Sequence, residues 1–285
     1  MNDVDSGSWG EKPRGAVTAR RTLIFANDKS SGKTTSANAV LVALLERYPS
    51  LMRTVAVREY DRQPRLATVF RPEDGFGSVQ HVDARNAAAY DRARELAYDP
   101  NATQYDELLY LIGRGGLIVD LGANIFSDIC RILDDEPRPV FPDGGESVGV
   151  VVPVTTAFDS IDSAIFAVEA AMSWGQKVRI FVIEQEYLGR FTDQTPGWME
   201  FRDRLARFES NRATVLRVEK LPVADIGHVV FQRIDRMLVD AHKVLQATHL
   251  VGADYIRTIR QARSELAWGA KTLESVRVIA DWYAQ

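Results

Sequence analysis

The sequence predicts an α/β fold: a mostly parallel sheet flanked by helices, with a helical C-terminal extension. Two observations predict the sheet. Short apolar, β-branched runs alternate with helical patterns from residue 22 to about residue 218. Several of those runs are apolar on both faces, as parallel strands covered by helices are. A third observation predicts the extension: beyond about residue 225 the alternation stops and only helical spacing remains.

The strands are expected at 22–25, 54–59, 78–82, 116–121, 147–154, 177–183 and 213–218. Helices are expected near 34–48, 84–98, 103–113, 125–134, 159–174 and 197–209. Strand–helix alternation of this kind implies right-handed βαβ crossovers. Breakers fall between the elements, as "YPS" after the first helix, "RPEDGFG" at 71–77 and "PRPVFPDGGE" at 137–146. Two helical stretches, beginning "ADIGHVV" and "ADYIRTI", follow the last strand. The simplest organisation is a flexible tail over 1–20, an α/β domain over 21–224 and C-terminal helices over 225–285 packed on it.

Composition narrows the functional classes. The chain has 285 residues, 46% hydrophobic and 26% charged, which is enough apolar content for a substantial core. A formal charge of -4 argues against a chain that is basic overall, while leaving room for a local basic face. The single cysteine, Cys130, excludes an internal disulfide framework, fits a reducing cytosol, and reads as a small core residue. No apolar run is long enough to span a bilayer and the first 20 residues lack the apolar block of a signal peptide, so a soluble, cytoplasmic protein is expected.

The chemistry begins directly after the first strand, at "ANDKSSGKTT", residues 26–35. In a phosphate-binding P-loop, backbone N–H groups and a helix N-terminus cradle the phosphates. A lysine meets the β/γ oxygens and a hydroxyl binds Mg²⁺. Lys33 and Thr34 fit those roles, Gly32 lets the backbone close, and Thr35 is placed for the α-phosphate. Asn27, Asp28, Lys29, Ser30 and Ser31 complete the expected cradle. Asn27 stands where such loops open with glycine, and asparagine is among the few residues that tolerate φ > 0 there.

Two carboxylates lie further along. In "VREYDRQPRLA" Asp61 ends the second strand, on the edge of an open α/β sheet where ligands bind, placed to orient a water or hold a metal shell. Pairing with Arg58, Arg62 or Arg65 is the alternative reading of that aspartate. In "GGLIVDLGAN" Asp120 ends an apolar strand in the manner of a Walker B aspartate, with Gly122 and Asn124 in the turn beyond.

Together these motifs resemble the ParA/MinD family of deviant P-loop ATPases (the SIMIBI branch of P-loop NTPases), whose loop is written KGGxGKTT. The resemblance runs from about 22 to 225. It extends to "EYDRQ" (Glu59, Asp61, Gln63) and to "GVVVPVTTAFDSIDSA", where Thr155 and Thr156 are candidates for a dimer face. The family's signature lysine, which reaches the partner's nucleotide, would align with Asp28, so Lys29 is the candidate one residue late. Near the end of the sixth strand, where relatives place an asparagine for adenine, this chain has Glu184 and Gln185 instead.

The resemblance implies a bacterial, cytoplasmic ATPase that binds ATP and Mg²⁺ and dimerises with nucleotide. Lys33, Asp61 and Lys29 would be catalytic, and Thr34, Asp61 and Asp120 would surround the metal. A role in plasmid or DNA partition, or in conjugative mobilisation, would add a partner protein that stimulates hydrolysis. It would also add a basic DNA face, for which Arg233, Arg236, Arg257, Arg260 and Arg263 are the candidates. A membrane-binding tail is not expected, because "VRVIADWYAQ" carries little basic charge and Trp282 and Tyr283 read as packing residues. Two other classes stay open: a ligase or small-molecule kinase of the dethiobiotin-synthetase type, and a nucleotide-binding partner with weak hydrolysis.

Overall fold

The computed structural model describes residues 21–29, 31–83, 102–135, 146–208, 212–221, 232–247 and 252–285. The expected tail, the helix near 84–98 and the stretch 225–231 lie outside those residues. Seven strands form one sheet among them: β1 (Thr22–Phe25), β2 (Ala56–Asp61), β3 (Ser78–Asp83), β4 (Leu117–Leu121), β5 (Val148–Val154), β6 (Arg179–Gln185) and β7 (Ala213–Val218). Their order is β3-β2-β4-β1-β5-β6-β7, and every pair is parallel. β1 therefore sits in the middle, between β4 and β5, and the crevice beyond its carboxyl end is where open sheets of this kind take ligands.

The helices are α1 (Lys33–Arg47), α2 (Pro49–Met52), α3 (Leu66–Val69), α4 (Ala102–Arg114), α5 (Ile125–Asp135), α6 (Phe158–Ser173), α7 (Trp198–Ala206), α8 (Ile234–Gln246) and α9 (Gly252–Tyr283). They divide between the two faces because strand side chains alternate. Leu23 and Phe25 of β1, with Phe181 and Ile183 of β6, join the core beneath α1, α8 and α9. Ile24, Ile180 and Val182 point the other way, into the core beneath α4, α5, α6 and α7. β5 is buried along its whole length, which explains its unbroken apolar spelling. Cys130 is buried within the second core.

The strand boundaries shift at two places. β2 runs over 56–61 rather than 54–59, and this brings Asp61 into the sheet as its last residue, in register with Asp83. β6 runs to Gln185, two residues beyond the expected end, so Glu184 and Gln185 are strand residues. Both strands are longer at their carboxyl ends, which carries their polar side chains to the crevice.

The C-terminal helices are fastened to this frame. Asn38, buried in α1, donates to the Gln232 carbonyl at 2.8 Å and accepts from the Ile234 amide at 3.3 Å, capping the start of α8. α9 has 32 residues and so a length of about 48 Å. Near its end Trp282 lies against β5 at Gly149, where an added Cβ would come within 2.6 Å of the indole. The Arg21 guanidinium stacks over the same ring, and Tyr283 is 1% exposed. No described helix is long and apolar enough to cross a membrane.

Candidate phosphate and metal site

Four loops converge on the carboxyl end of β1 because the strands that carry them are neighbours there. The loop after β1 leads into α1. β2 delivers Asp61 and the turn to Arg65, β4 delivers Asp120 and Gly122, and β6 delivers Gln185. Between them lies a cavity of about 340 Å³, a volume suited to a small ligand. Lys29, Lys33, Thr34, Asp61, Arg65 and Gly122 line it, together with Gln185, Tyr187, Leu221 and Trp268.

Gly32 holds φ at 85°, the left-handed conformation that starts α1 without a side-chain cap. Its Cα faces Gln185, whose amide donates to Ser36 Oγ at 2.8 Å and so ties the loop to β6. From α1's first turn Lys33 reaches back over the loop, and its ammonium donates to the carbonyls of Asn27 and Lys29, the latter at 3.0 Å. Burial lowers the Lys33 pKa. Asp120, Asp28 and Asp61 oppose that shift, while repulsion from Arg65 adds to it.

Asn27 differs from the expectation that it supplies a positive φ in place of glycine. Among the described residues only Asn124, at φ 69°, is a non-glycine with positive φ. Asn27 is 1% exposed, and its side chain is the useful part. The amide donates to the carbonyls of Pro153 at 2.9 Å and Ser160 at 3.1 Å, and Oδ1 accepts from the Lys29 amide at 3.0 Å. It staples the loop to the end of β5 and the start of α6, a task no glycine performs. Asp28 is tied to the same helix, its amide donating to Ser163 Oγ at 3.0 Å.

Thr34 donates to Asp120 Oδ2 at 2.9 Å, while the other carboxylate oxygen, Oδ1, is buried without a hydrogen-bond partner. Burial pushes the Asp120 pKa up to about 7; Lys33 and the Thr34 hydrogen bond pull the other way, and Glu59 and Asp61 add to the rise. A buried carboxylate with one unmet oxygen beside a hydroxyl is a hard oxygen donor pair, and it fits Mg²⁺. That ion is held by one or two carboxylates plus water and phosphate oxygens rather than by a full protein cage. No cluster of three or more His, Cys, Asp or Glu side chains is placed for a metal among the described residues.

Glu59 and Asp61, adjacent on one side of β2, have separate tasks. Glu59 is 1% exposed and accepts the amides of Arg65, Leu66 and Ala67 at 2.8 to 3.0 Å, so it caps α3 and sets the turn after β2. Asp61 lines the cavity, and its Oδ1 accepts the Arg62 amide at 2.5 Å. Gly122 is required by close approach: a Cβ there would lie 2.7 Å from the Tyr60 carbonyl and 3.1 Å from the Asp61 Cα. Asn124, expected as a polar contact, is exposed and instead turns the chain into α5 with its positive φ.

Other expected residues are placed as follows. Lys29 is exposed at the cavity rim, Ser31 is buried in the loop, and Thr35 lines the cavity; Ser30 lies outside the described residues. Thr155 is fully buried, its amide accepted by Ser160 Oγ, so it offers no surface to a partner; Thr156 is half-buried. Glu184 and Glu186 share Arg217 at 2.8 and 3.5 Å, which occupies the first of them at the edge of the sheet. Arg233 is also corrected. Its side chain is 11% exposed, ion-paired with Asp74 at 2.8 Å and Asp235 at 2.5 Å, and stacked over Phe70, so it is an anchor for α8. Arg236 is exposed and paired with the same Asp74. Arg257, Arg260 and Arg263 are exposed on α9.

Sequence reasoning missed Trp268 and Tyr187. Trp268 reaches the cavity from α9, 235 positions after Lys33, with its indole N–H donated to the Glu219 carbonyl at 2.8 Å. Its signal was weak: one aromatic among the apolar residues of a helix, with nothing local to mark it.

No protein-family model matches the chain, and no curated protein matches its sequence. Among solved structures, the ATP complex of a variant of McdA from Cyanothece aligns over 92% of this chain and 96% of that one, at 12% identity and a TM-score of 0.43. At that score the likeness carries no functional argument, which rests on the residues of the site.

Proposed function

We propose that this chain is a ParA-like, Mg²⁺-dependent ATPase that works as a nucleotide-driven switch. The observation that carries the reading is the Thr34–Asp120 pair with its unmet carboxylate oxygen, set beside Lys33 in one cavity. Lys33 and the loop amides would hold the phosphates, and Thr34 and Asp120 the metal. Asp61, in the same cavity, would orient the attacking water. The exposed Lys29 is the residue available to reach a second copy, and ATP-dependent homodimerisation follows from that role. Service in DNA partition or conjugative mobilisation, with a stimulating partner protein, is the extension this reading favours. For DNA the exposed Arg236, Arg257, Arg260 and Arg263 are the candidates.

Size-exclusion chromatography with light scattering in ADP, ATP and a non-hydrolysable analogue, with and without DNA, tests the switch. A dimer with triphosphate alone supports it, and a monomer under every condition overturns it.

Asp61→Ala is expected to leave nucleotide affinity within about two-fold and to slow turnover by about 100-fold, the scale of a lost water-orienting base. Steady-state hydrolysis beside equilibrium binding checks this, and unchanged turnover makes Asp61 a structural residue.

Trp268 and Tyr187 would flank the base. Trp268→Ala is expected to weaken ATP binding about 10-fold, since an aromatic contact with a base is worth about 1–3 kcal/mol. Binding of inorganic tripolyphosphate, which has no base, should stay unchanged. Equal losses for both ligands would remove Trp268 from base recognition.

A further inference from the structure

Arg65 is a cation the phosphate loop does not supply. It follows β2 in "DRQPR", and its backbone is fixed by the Glu59 carboxylate, which accepts the Arg65 amide at 2.8 Å together with the next two amides. Glu59 stands directly across the sheet from Asp120, in register on the neighbouring strand. A buried, fully hydrogen-bonded carboxylate thus fixes where Arg65 leaves the chain, and its side chain lines the cavity beside Asp61, Lys33 and Gly122. Among the described residues its guanidinium has no ion-pair partner.

With no ion-pair partner among the described residues, the Arg65 charge is available to an anion that enters the cavity. Lys33 is engaged at the loop, where its ammonium donates to the Asn27 and Lys29 carbonyls. Arg65 approaches from the β2 side, next to Asp61. A guanidinium presents a planar fork of donors suited to two phosphoryl oxygens at once.

We propose that Arg65 contacts the terminal phosphoryl group of a bound nucleoside triphosphate, so that this protomer's own arginine distinguishes triphosphate from diphosphate. The proposal rests on the nucleotide reading above and adds a residue to it. It gives the site a second cation that does not depend on Lys29 or on a partner subunit. Glu59 is then a positioning residue, acting through the turn it caps.

The test is equilibrium binding of ADP and of a non-hydrolysable ATP analogue, with Mg²⁺, to wild type, Arg65→Ala and Arg65→Lys. In Arg65→Ala the triphosphate affinity is expected to fall about 10-fold or more while ADP affinity is unchanged, the loss of charge-assisted hydrogen bonds to one group. Arg65→Lys should recover part of that loss, as a point charge without the fork. An unchanged ratio of the two affinities, or an equal loss for both nucleotides, overturns the proposal and leaves the nucleotide site standing. Failure of wild type to bind either nucleotide overturns the nucleotide reading and the proposal with it.

Discussion

Lys33→Ala is expected to lower nucleotide affinity by at least about 100-fold, leaving no binding at micromolar concentrations. The ammonium is held over the loop by the carbonyls of Asn27 and Lys29, so it is ordered before any ligand arrives. A phosphate that replaces those carbonyls meets a cation whose rotamer is already chosen, which lowers the entropy cost of binding. Charge-assisted hydrogen bonds are worth about 1.5–3 kcal/mol each, and two of them account for a loss on this scale. Removing the cation also leaves Asp120, Asp28 and Asp61 without their common counter-charge. Titration with a fluorescent nucleotide, beside a thermal melt to confirm folding, checks the outcome. A folded variant that binds as wild type does removes the phosphate assignment from this loop.

Asp120→Asn should separate stability from ligand binding. The folded-state pKa of Asp120 is raised to about 7, mainly by burial, whereas an unfolded aspartate titrates near 4. Between those values the folded chain holds a proton that the unfolded chain has released. This group's contribution is therefore largest below pH 4 and is lost as pH rises through 7. In the wild type without ligand, stability from this group should fall by roughly 2–4 kcal/mol between pH 5 and pH 8. Asp120→Asn lacks the ionisation, so its stability should fall less over that range and exceed that of wild type at pH 8. Thr34 can donate to the amide oxygen in place of the carboxylate. Addition of Mg²⁺ and nucleotide at pH 8 should raise the melting temperature of wild type and not of Asp120→Asn. Parallel pH profiles for the two proteins would show that Asp120 is not the buried acid described.

The sheet was legible because its strands are spelled by burial on two faces. The all-buried β5 left no choice of element, and β1 with "GKTT" marked the loop, whose place at the sheet's centre only the strand order reveals. Asp120 was readable for the same reason, as a charge at the end of an apolar run. Asn27 was misread because local rules address backbone angles, whereas its contribution is a pair of long-range hydrogen bonds to residues 126 and 133 positions away. Glu59 and Arg65 escaped for a related reason. Glu59 reads as one more motif carboxylate until the turn it caps is seen, and Arg65 reads as a partner for Asp61 until the cavity is seen. The arginines of the expected basic face divided according to α8's packing on Asp74, which no helical periodicity reveals.

The contact between Arg21 and Trp282 spans 261 positions of sequence. Trp268, 14 residues before Trp282 on the same helix, forms a wall of the cavity that Lys33 opens. Loop-closure entropy must be met before contacts so distant in sequence can form, which places the docking of α9 on α1 and β5 among the costly steps of folding. The phosphate loop waits on distant partners of its own, Pro153, Ser160 and Ser163, and the Trp268 wall of the pocket closes only when α9 docks. A newly made chain acquires full ligand affinity no sooner than α9 has docked, and a ligand that needs both walls slows unfolding by holding that helix in place.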